Sequence, residues 1–363
     1  MKLHHIFLLG GLVLGCTAWA AGPHDNPGQD HNNNAQSAFS FAFMGDMPYH
    51  QYNEPKFLNI VDDINSNPKI QFVVHAGDLK SGSELCSDEL ITHRFDMYQM
   101  FNVPFVYTPG DNEWTDCHRA NNGPYYPLDR LALVRSLFFS DPDHTTGGTP
   151  MPVHSQARQN GFGGYPENVW FERNDVVFAT FHVIGSNNDL KPWTGKHDDI
   201  SQFGETAGSG VLSGPHQDEY KYRNLANLAW LDTVFAAAEN ANGLFIAMQA
   251  DMDPKNFDPA ATNPDPNAIP DPTTPGFQNF LVKSYDLAQA YGKPVVLAHG
   301  DSHVLLIDNP FDEESPAVFD PPVMNVTRVQ TYGQDNIHYI EVIVDPKSEN
   351  VFTFVPHILK ENE

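Results

Sequence analysis

Five aspartates in the sequence each follow a short apolar run that ends in glycine or alanine: Asp46, Asp78, Asp111, Asp251 and Asp301. If such carboxylates converge within a few ångströms, their like charges oppose one another unless a cation neutralises them. A lone Gly-Asp after a strand is equally typical of a turn or a helix N-cap. The repetition of the pattern therefore predicts a site for divalent metal ions with these acids as ligands.

The apolar runs before these acids are typical of strands buried on both faces, and the amphipathic segments between them are typical of covering helices. One such segment carries Leu90, Ile91, Phe95 and Tyr98. The first three acids are 32 and 33 residues apart, which is about the length of a βαβ unit. Because sites in open α/β sheets form beyond the carboxyl ends of the strands, we expect all five acids on one edge of one sheet.

Several later runs alternate apolar and polar residues, which predicts antiparallel strands beside or beneath the parallel ones. They cover residues 168–172, 176–184, 304–308, 325–332, 337–344 and 351–356. Two stretches with little periodicity, 140–166 and 252–276, interrupt the pattern, and the second contains seven prolines. Since strands continue after both, we interpret them as loop excursions from a single domain that covers residues 38–363.

The first 20 residues have the features of a signal peptide: one lysine, an apolar stretch over residues 6–14 and a closing Ala18-Trp19-Ala20. Residues 21–37 are polar and Asn-rich, which predicts a disordered leader. No later segment has the roughly 18 apolar residues that a membrane span needs. We therefore expect an exported protein, periplasmic or secreted, with a lipoprotein anchored through Cys16 as the alternative.

Removal of the signal peptide leaves Cys86 and Cys117 as the only cysteines. Two lone cysteines in an oxidising compartment usually pair, and closing this loop stabilises the fold by about 3.5 kcal/mol on a chain-entropy model. Two buried free thiols are the alternative. We predict a disulfide bond.

The chain is strongly acidic, with a formal net charge of −26 at pH 7. Such a charge repels nucleic-acid backbones and anionic lipid, so we expect no stable nucleic-acid partner. A small phosphorylated substrate is still compatible, because cations at a metal site reverse the local sign of the charge.

The order of the motifs resembles the calcineurin-like metallophosphoesterase superfamily over about residues 39–308. That family has Asp-x-His, Gly-Asp, Gly-Asn-His-Glu/Asp, an isolated His and Gly-His-x-His. The corresponding positions here are Asp46, Gly77-Asp78, residues 110–113 ("GDNE"), residues 248–251 ("MQAD") and residues 299–303 ("HGDSH"). The resemblance implies a four-layer αββα sandwich of mixed β-sheets flanked by helices, with a two-metal centre.

The resemblance also assigns metal ligands, residue by residue. The first ion would be bound by Asp46, Asp78 and His303. Asp78 would bridge to a second ion, whose other ligands would be Asp111, Gln249 and Asp301. Replacement of the family's imidazoles by Asp111, Gln249 and Asp301 makes the second site all-oxygen. Oxygen ligands favour Mg²⁺, Mn²⁺ or Ca²⁺ over Zn²⁺ or Fe.

One ligand of the first ion is lost, because Pro48 stands where the family has a histidine and offers no side-chain donor. Water could fill the gap. The other candidates are Asp251, His75 and His299.

The reaction that the resemblance implies is attack by a metal-bridging hydroxide on the phosphorus of a phosphomonoester or phosphodiester. Asn112 replaces the family's catalytic histidine and could hydrogen-bond the phosphoryl group, but an amide cannot protonate a leaving group. We therefore consider His118 as the general acid, and Glu113 as a residue that orients a neighbour or completes a metal shell. Arg223 could bind phosphate, and Asn188 could border the substrate site.

Two other functions are compatible with these motifs. The substitutions could leave a catalytically silent, exported binding protein with the metallophosphoesterase fold. A more distant alternative is a serine esterase, since residues 300–302 read Gly-Asp-Ser. However, that motif normally follows the first strand of such an enzyme, whereas here it follows the last of the predicted parallel strands. Substrate, ester type, metal and oligomeric state are left open.

Overall fold

The computed structural model describes residues 37–195, 212, 214–257, 265–270, 274–334 and 336–363. The predicted signal peptide and nearly all of the predicted leader lie outside the described residues, as does part of the 252–276 stretch. Within the described residues, no helix has both the length and the apolar character that are needed to cross a bilayer.

The first sheet has six strands in the order β13-β12-β1-β2-β3-β4. Strands β1, β2 and β3 are parallel, whereas β12, β13 and β4 pair antiparallel. Their bounds are β1 Phe39–Met44, β2 Ile70–His75, β3 Pro104–Tyr107, β4 Thr146–Gly147, β12 Tyr339–Val344 and β13 Phe352–His357.

The second sheet has seven strands in the order β10-β11-β9-β8-β7-β6-β5. Their bounds are β5 His154–Ser155, β6 Val169–Arg173, β7 Val176–Thr180, β8 Gly243–Ala247, β9 Val295–His299, β10 Leu306–Asp308 and β11 Val326–Gln330. The strands expected from the alternating runs are present. The expectation that all of them are antiparallel is wrong for β7 and β11, which pair parallel with β8 and β9.

The helices lie on the outer faces of the two sheets. The side chains of α1 to α3 pack on the first sheet, and those of α5 and α6 pack on the second. Helix α2 begins after Ser87, whose side chain accepts a hydrogen bond from the Leu90 N–H. The bounds are α1 Glu54–Ser66, α2 Asp88–Tyr98, α3 Pro127–Phe138, α4 Gly185–Asn188, α5 Gly214–Ala237 and α6 Gln278–Tyr291.

Aromatic side chains fill the space between the two sheets. The Phe41 ring lies 4.7 Å from that of Phe72 in its own sheet, and 5.0 and 5.5 Å from those of Phe245 and Phe178 in the other sheet. Such ring pairs stabilise a core beyond the area they bury. The layers are therefore helix, sheet, sheet and helix, which confirms the predicted αββα architecture of mixed sheets.

This packing corrects one expectation about the acids. Asp46, Asp78 and Asp111 follow strands of the first sheet, whereas Asp251 and Asp301 follow β8 and β9 of the second. The acids therefore come from the carboxyl ends of two facing sheets and not from one edge of one sheet. Runs that are buried on both faces look alike in either sheet, so their pattern could not distinguish the two arrangements.

Candidate metal centre

Three aspartates form a compact cluster where the two sheets meet. Asp78 after β2, Asp111 after β3 and Asp301 after β9 each offer a carboxylate oxygen, and these atoms lie within 4.8 Å of one another. Asp78 and Asp111 are buried and Asp301 is partly buried. Three converging carboxylates are a donor set that fits a hard divalent cation.

Glycines before the acids allow the backbone to come close to the carboxylates. A Cβ atom on Gly110 would lie 2.0 Å from Asp78 Oδ1, and one on Gly300 would lie 2.1 Å from Asp46 Oδ2. Asp78 and Asp301 themselves have positive φ angles of 59° and 73°, which non-glycine residues adopt only when the surrounding structure enforces it. The Gly-Asp pairs of the sequence are thus explained by close packing at the site.

The electrostatics of the cluster favour a bound cation. Burial and the charges of Asp111 and Asp46 raise the pKa of Asp301 to about 8. Burial, followed by the charge of Asp111, also raises the pKa of Asp78 well above its usual range. A divalent ion removes this repulsion and keeps the carboxylates ionised at neutral pH.

Both oxygens of Asp78 accept hydrogen bonds from neighbouring residues. Tyr49 donates its hydroxyl to Oδ2 at 3.0 Å, and Asn112 donates its side-chain amide to the same atom at 2.7 Å and its backbone N–H to Oδ1 at 3.1 Å. The buried Glu113 accepts the Asp78 N–H at 3.2 Å and further hydrogen bonds from Gly110 and Tyr107. Glu113 thus fixes the loops that carry the cluster and does not line the cleft.

Asp46 and His303 lie beside this cluster and contact each other. Their side chains are 3.4 Å apart, and the Asp301 N–H donates to Asp46 Oδ1 at 3.0 Å. Among the described residues, they do not join Asp78 in a second compact group of ligand atoms. The His303 ring packs edge-on against Tyr49, with 5.3 Å between the ring centres. Tyr49 follows Pro48, where the family's ligand is missing.

The remaining ligand candidates have protein partners. Gln249 directs its amide nitrogen at Asp78 Oδ2, 3.3 Å away, and its amide oxygen accepts the Gly185 N–H. His75 is buried, bonds to the Met47 carbonyl at 3.0 Å and has its pKa lowered by burial to about 3.

His299 and Asp251 lie near each other at the end of β9. The two side chains approach to 3.9 Å, and the Ser302 hydroxyl donates to Asp251. A serine nucleophile needs an imidazole at hydrogen-bond distance. The Ser302 hydroxyl is instead bonded to a carboxylate, which gives no support to the serine-esterase alternative.

The structure contradicts the substrate-binding roles predicted for Arg223 and Asn188. The Arg223 side chain is fully buried, binds both carboxylate oxygens of Glu219 at 2.7 and 3.0 Å, and also bonds to Asn188. Asn188 is 1% exposed and donates to the Gly276 carbonyl at 3.0 Å. Both side chains brace α5 against the loop after β7, because their polar groups are satisfied within the protein.

His118 does not reach the cleft in the way that a general acid requires. Its Nδ1 accepts the Thr194 N–H at 2.9 Å, and its side chain is not among those that line the cleft. The same loop instead places Asp116 and Arg119 at the cleft. The loop that carries His118 thus borders the cleft, but through side chains other than His118.

The predicted disulfide bond is confirmed. Cys86 and Cys117 are bonded, with 5.7 Å between their Cα atoms, and both are fully buried. The bond joins the loop after β2 to the loop after β3. Because both loops line the cleft, the disulfide fixes the cleft wall next to the metal cluster.

An open cleft of about 590 Å³ leads to the cluster. The lining side chains that were not identified from the sequence include Tyr49, Arg119 and Lys191. They lie three or more residues beyond the strand ends, where the motif pattern carries no information. The cleft is lined by Tyr49, Asp78, Ser81, Gly82, Asp111, Asn112, Asp116, Arg119, Gly185, Ser186, Asn187, Lys191, Asp251, Phe277, Asp301, His303 and Gln334.

The first part of the chain matches a known protein family. Residues 39–198 match the family described as calcineurin-like phosphoesterase. Comparison with curated protein sequences gives no match.

Two solved structures are similar to the chain. One is GAP50, the anchor in the inner membrane complex of Plasmodium, with 11% identity, coverage of 89% of each chain and a TM-score of 0.40. The other is TT1561 of Thermus thermophilus, with 9% identity, coverage of 88% of this chain and 99% of that chain, and a TM-score of 0.38. The match to the family, together with the motifs and the sandwich, identifies a calcineurin-like metallophosphoesterase domain in this chain, matched over residues 39–198.

Proposed function

We propose that the protein is a metal-dependent hydrolase of small phosphate esters. The observation that carries the proposal is the convergence of Asp78, Asp111 and Asp301 from two sheets at the base of an open cleft. Phosphoryl transfer needs neutralisation of the phosphate charge more than it needs a protein nucleophile. A divalent ion held by these three carboxylates would supply that charge and would act as a Lewis acid on the ester and on the attacking water.

The donor set supports a hard ion, Mg²⁺, Mn²⁺ or Ca²⁺, because all three cluster residues offer carboxylate oxygens. The other ion that the family resemblance implies would take Asp46 and His303 as ligands, together with the bridging Asp78. Those two residues are close enough to serve together, at 3.4 Å, and His303 lines the cleft.

The residues around the cluster hold it in place. The Tyr49 hydroxyl stays protonated, since burial and the charge of Asp78 raise its pKa well above the ordinary value, and it therefore remains a hydrogen-bond donor to Asp78. Asn112 donates to the same carboxylate, so the two side chains keep Asp78 oriented while substrate enters.

Export through the predicted signal peptide is part of the proposal, and the Cys86–Cys117 bond supports it because such bonds persist in oxidising compartments. The high negative charge of the chain supports a small substrate over a nucleic-acid partner.

The test is hydrolysis of p-nitrophenyl phosphate and bis(p-nitrophenyl) phosphate by chelator-treated protein that is reloaded with Mg²⁺, Mn²⁺, Ca²⁺ or Zn²⁺. We expect activity with at least one hard ion and its loss in Asp78→Ala, with the exposed Asp286→Ala as the matched control. Metal binding measured by calorimetry, without turnover of either ester, would instead support the silent binding protein.

A further inference from the structure

Two basic side chains line a cleft whose other charged residues are mostly acidic. The proposed chemistry gives neither of them a role. Arg119 lies in the loop after β3 and Lys191 lies after α4, yet both border the cavity that leads to the cluster. Five aspartates line the same cavity within the described residues. A negatively charged substrate therefore needs these cations where it extends away from the metal.

Arg119 is held in place and still presents part of its guanidinium to the cleft. Its Nη1 lies 2.6 Å from the buried carboxylate of Asp116, and its Nη2 donates to the Ser186 hydroxyl at 3.4 Å. The side chain nevertheless remains 37% exposed. A guanidinium has five N–H donors, so donors remain available for a ligand.

The Arg119 guanidinium is close to the metal cluster. A Cβ atom on Gly82 would lie 3.6 Å from Arg119 Nη1 and 2.7 Å from the side-chain oxygen of Asn112. Asn112 in turn contacts Asp78. Arg119 Nη1 and the Asn112 side chain are therefore both close to Gly82, and Asn112 links this part of the cleft to the cluster.

The segment before Lys191 has an unusual backbone. Ser186, Asn187, Asn188 and Asp189 all have positive φ angles, between 49° and 67°. Left-handed backbone is unfavourable for non-glycine residues, and such strain concentrates at functional sites. The Lys191 N–H closes this turn on the Ser186 carbonyl at 3.3 Å, and Ser186 donates its hydroxyl to Asp116.

The turn begins directly against the cluster. A Cβ atom on Gly185 would lie 2.7 Å from an oxygen of Asp111 and 3.0 Å from one of Asp301. The turn therefore places Lys191 at the same cleft as Arg119. Lys191 is exposed, and it makes no ion pair within the described residues.

We infer that Arg119 and Lys191 form a clamp for the outward-facing oxygens of a metal-bound phosphate and make the site selective for phosphate monoesters. This inference rests on the proposed function and specifies its substrate class. A monoester phosphate carries close to two negative charges at neutral pH, because its second pKa is about 6. A diester carries one charge and directs an uncharged ester group at the clamp. Arginine is well suited to bind such oxygens in pairs.

The test compares the two nitrophenyl esters in Arg119→Gln, Lys191→Gln and the wild type, all loaded with Mn²⁺. Loss of a charge-assisted hydrogen bond is expected to lower kcat/KM for the monoester by about 10- to 100-fold. The diester should be affected far less. Arg158→Gln removes an exposed arginine that pairs with Asp143 outside the cleft, and serves as the matched control.

Calorimetric binding of inorganic phosphate to the Mn²⁺-loaded variants separates this inference from the proposed function. Weaker phosphate binding in both variants supports the clamp even if neither ester is hydrolysed, in which case only the hydrolase proposal fails. Equal losses on both esters, or unchanged phosphate binding in Lys191→Gln, would overturn the clamp while leaving the hydrolase intact. Lys191→Gln keeps the test valid if Arg119→Gln misfolds, since the exposed Lys191 side chain makes no ion pair in the part of the chain that the structure describes.

Discussion

The carboxylate cluster should make the metal-free protein less stable than a variant that lacks one of its charges. Asp301 has its pKa raised to about 8 by burial and by Asp111 and Asp46, against an ordinary value of 3.8. A raised carboxyl pKa means that the folded state binds the proton more tightly than the unfolded state. Stability is therefore lost as the pH rises from about 4 towards 8.

The size of the effect follows from this shift. At pH 7 the carboxyl of Asp301 is ionised in the unfolded chain and largely protonated in the folded one. This pH lies about three units above the ordinary pKa, and each unit corresponds to about 1.4 kcal/mol. The upper bound on the destabilisation is therefore about 4 kcal/mol. Residual hydration of the partly buried side chain reduces this value, so we expect Asp301→Asn to stabilise the metal-free protein by about 1 to 4 kcal/mol.

Urea unfolding in the presence of a chelator measures this difference, with Asp286→Asn on the exposed face of α6 as the control. The gain should shrink at pH 5, because that pH lies only about one unit above the ordinary pKa of the unfolded carboxyl. Added Mn²⁺ should stabilise the wild type more than the variant. A chelated Asp301→Asn protein that is less stable than the wild type at pH 7 would refute the electrostatic reasoning.

Three further predictions concern the close packing, the disulfide and a buried ion pair. Gly110→Ala should abolish the rise in Tm on adding Mn²⁺, because its Cβ would lie 2.0 Å from a carboxylate oxygen, whereas Gly163→Ala, with open space around it, should not. Replacing both Cys86 and Cys117 by serine should cost about 3 to 4 kcal/mol in urea unfolding and lower ester hydrolysis, since the bond fixes the cleft wall. Glu167 is fully buried, but its arginine and histidine partners outweigh the effect of burial and lower its pKa to about 2. Its contribution to the stability of the fold is therefore present above pH 4.5 and lost as the pH falls towards 2. Glu167→Gln should therefore cost about 3 kcal/mol at pH 7 and flatten the acid limb of a stability-versus-pH curve.

The order of strands and acids could be predicted because apolar runs and Gly-Asp pairs are local patterns. The runs that end at Asp46, Asp78 and Asp111 are indeed neighbouring strands of one sheet. The roles of Arg223 and His118 could not be predicted in this way. Whether a polar side chain faces a cleft or a buried partner depends on contacts with distant parts of the chain, such as the bond between Thr194 and His118.

By itself, the sequence determined the αββα class, the pairing of Cys86 with Cys117 and the acids available to a metal. The αββα class follows from the resemblance of the ordered motifs to a known family, and the other two features follow from cysteine count and residue type. Only the tertiary structure decided that the acids come from two facing sheets, that Asp78, Asp111 and Asp301 converge within 4.8 Å, and that two cations share their cleft. The physical reason is that the two sheets are joined by apolar packing between them, which acts through space and leaves no spacing signal along the chain.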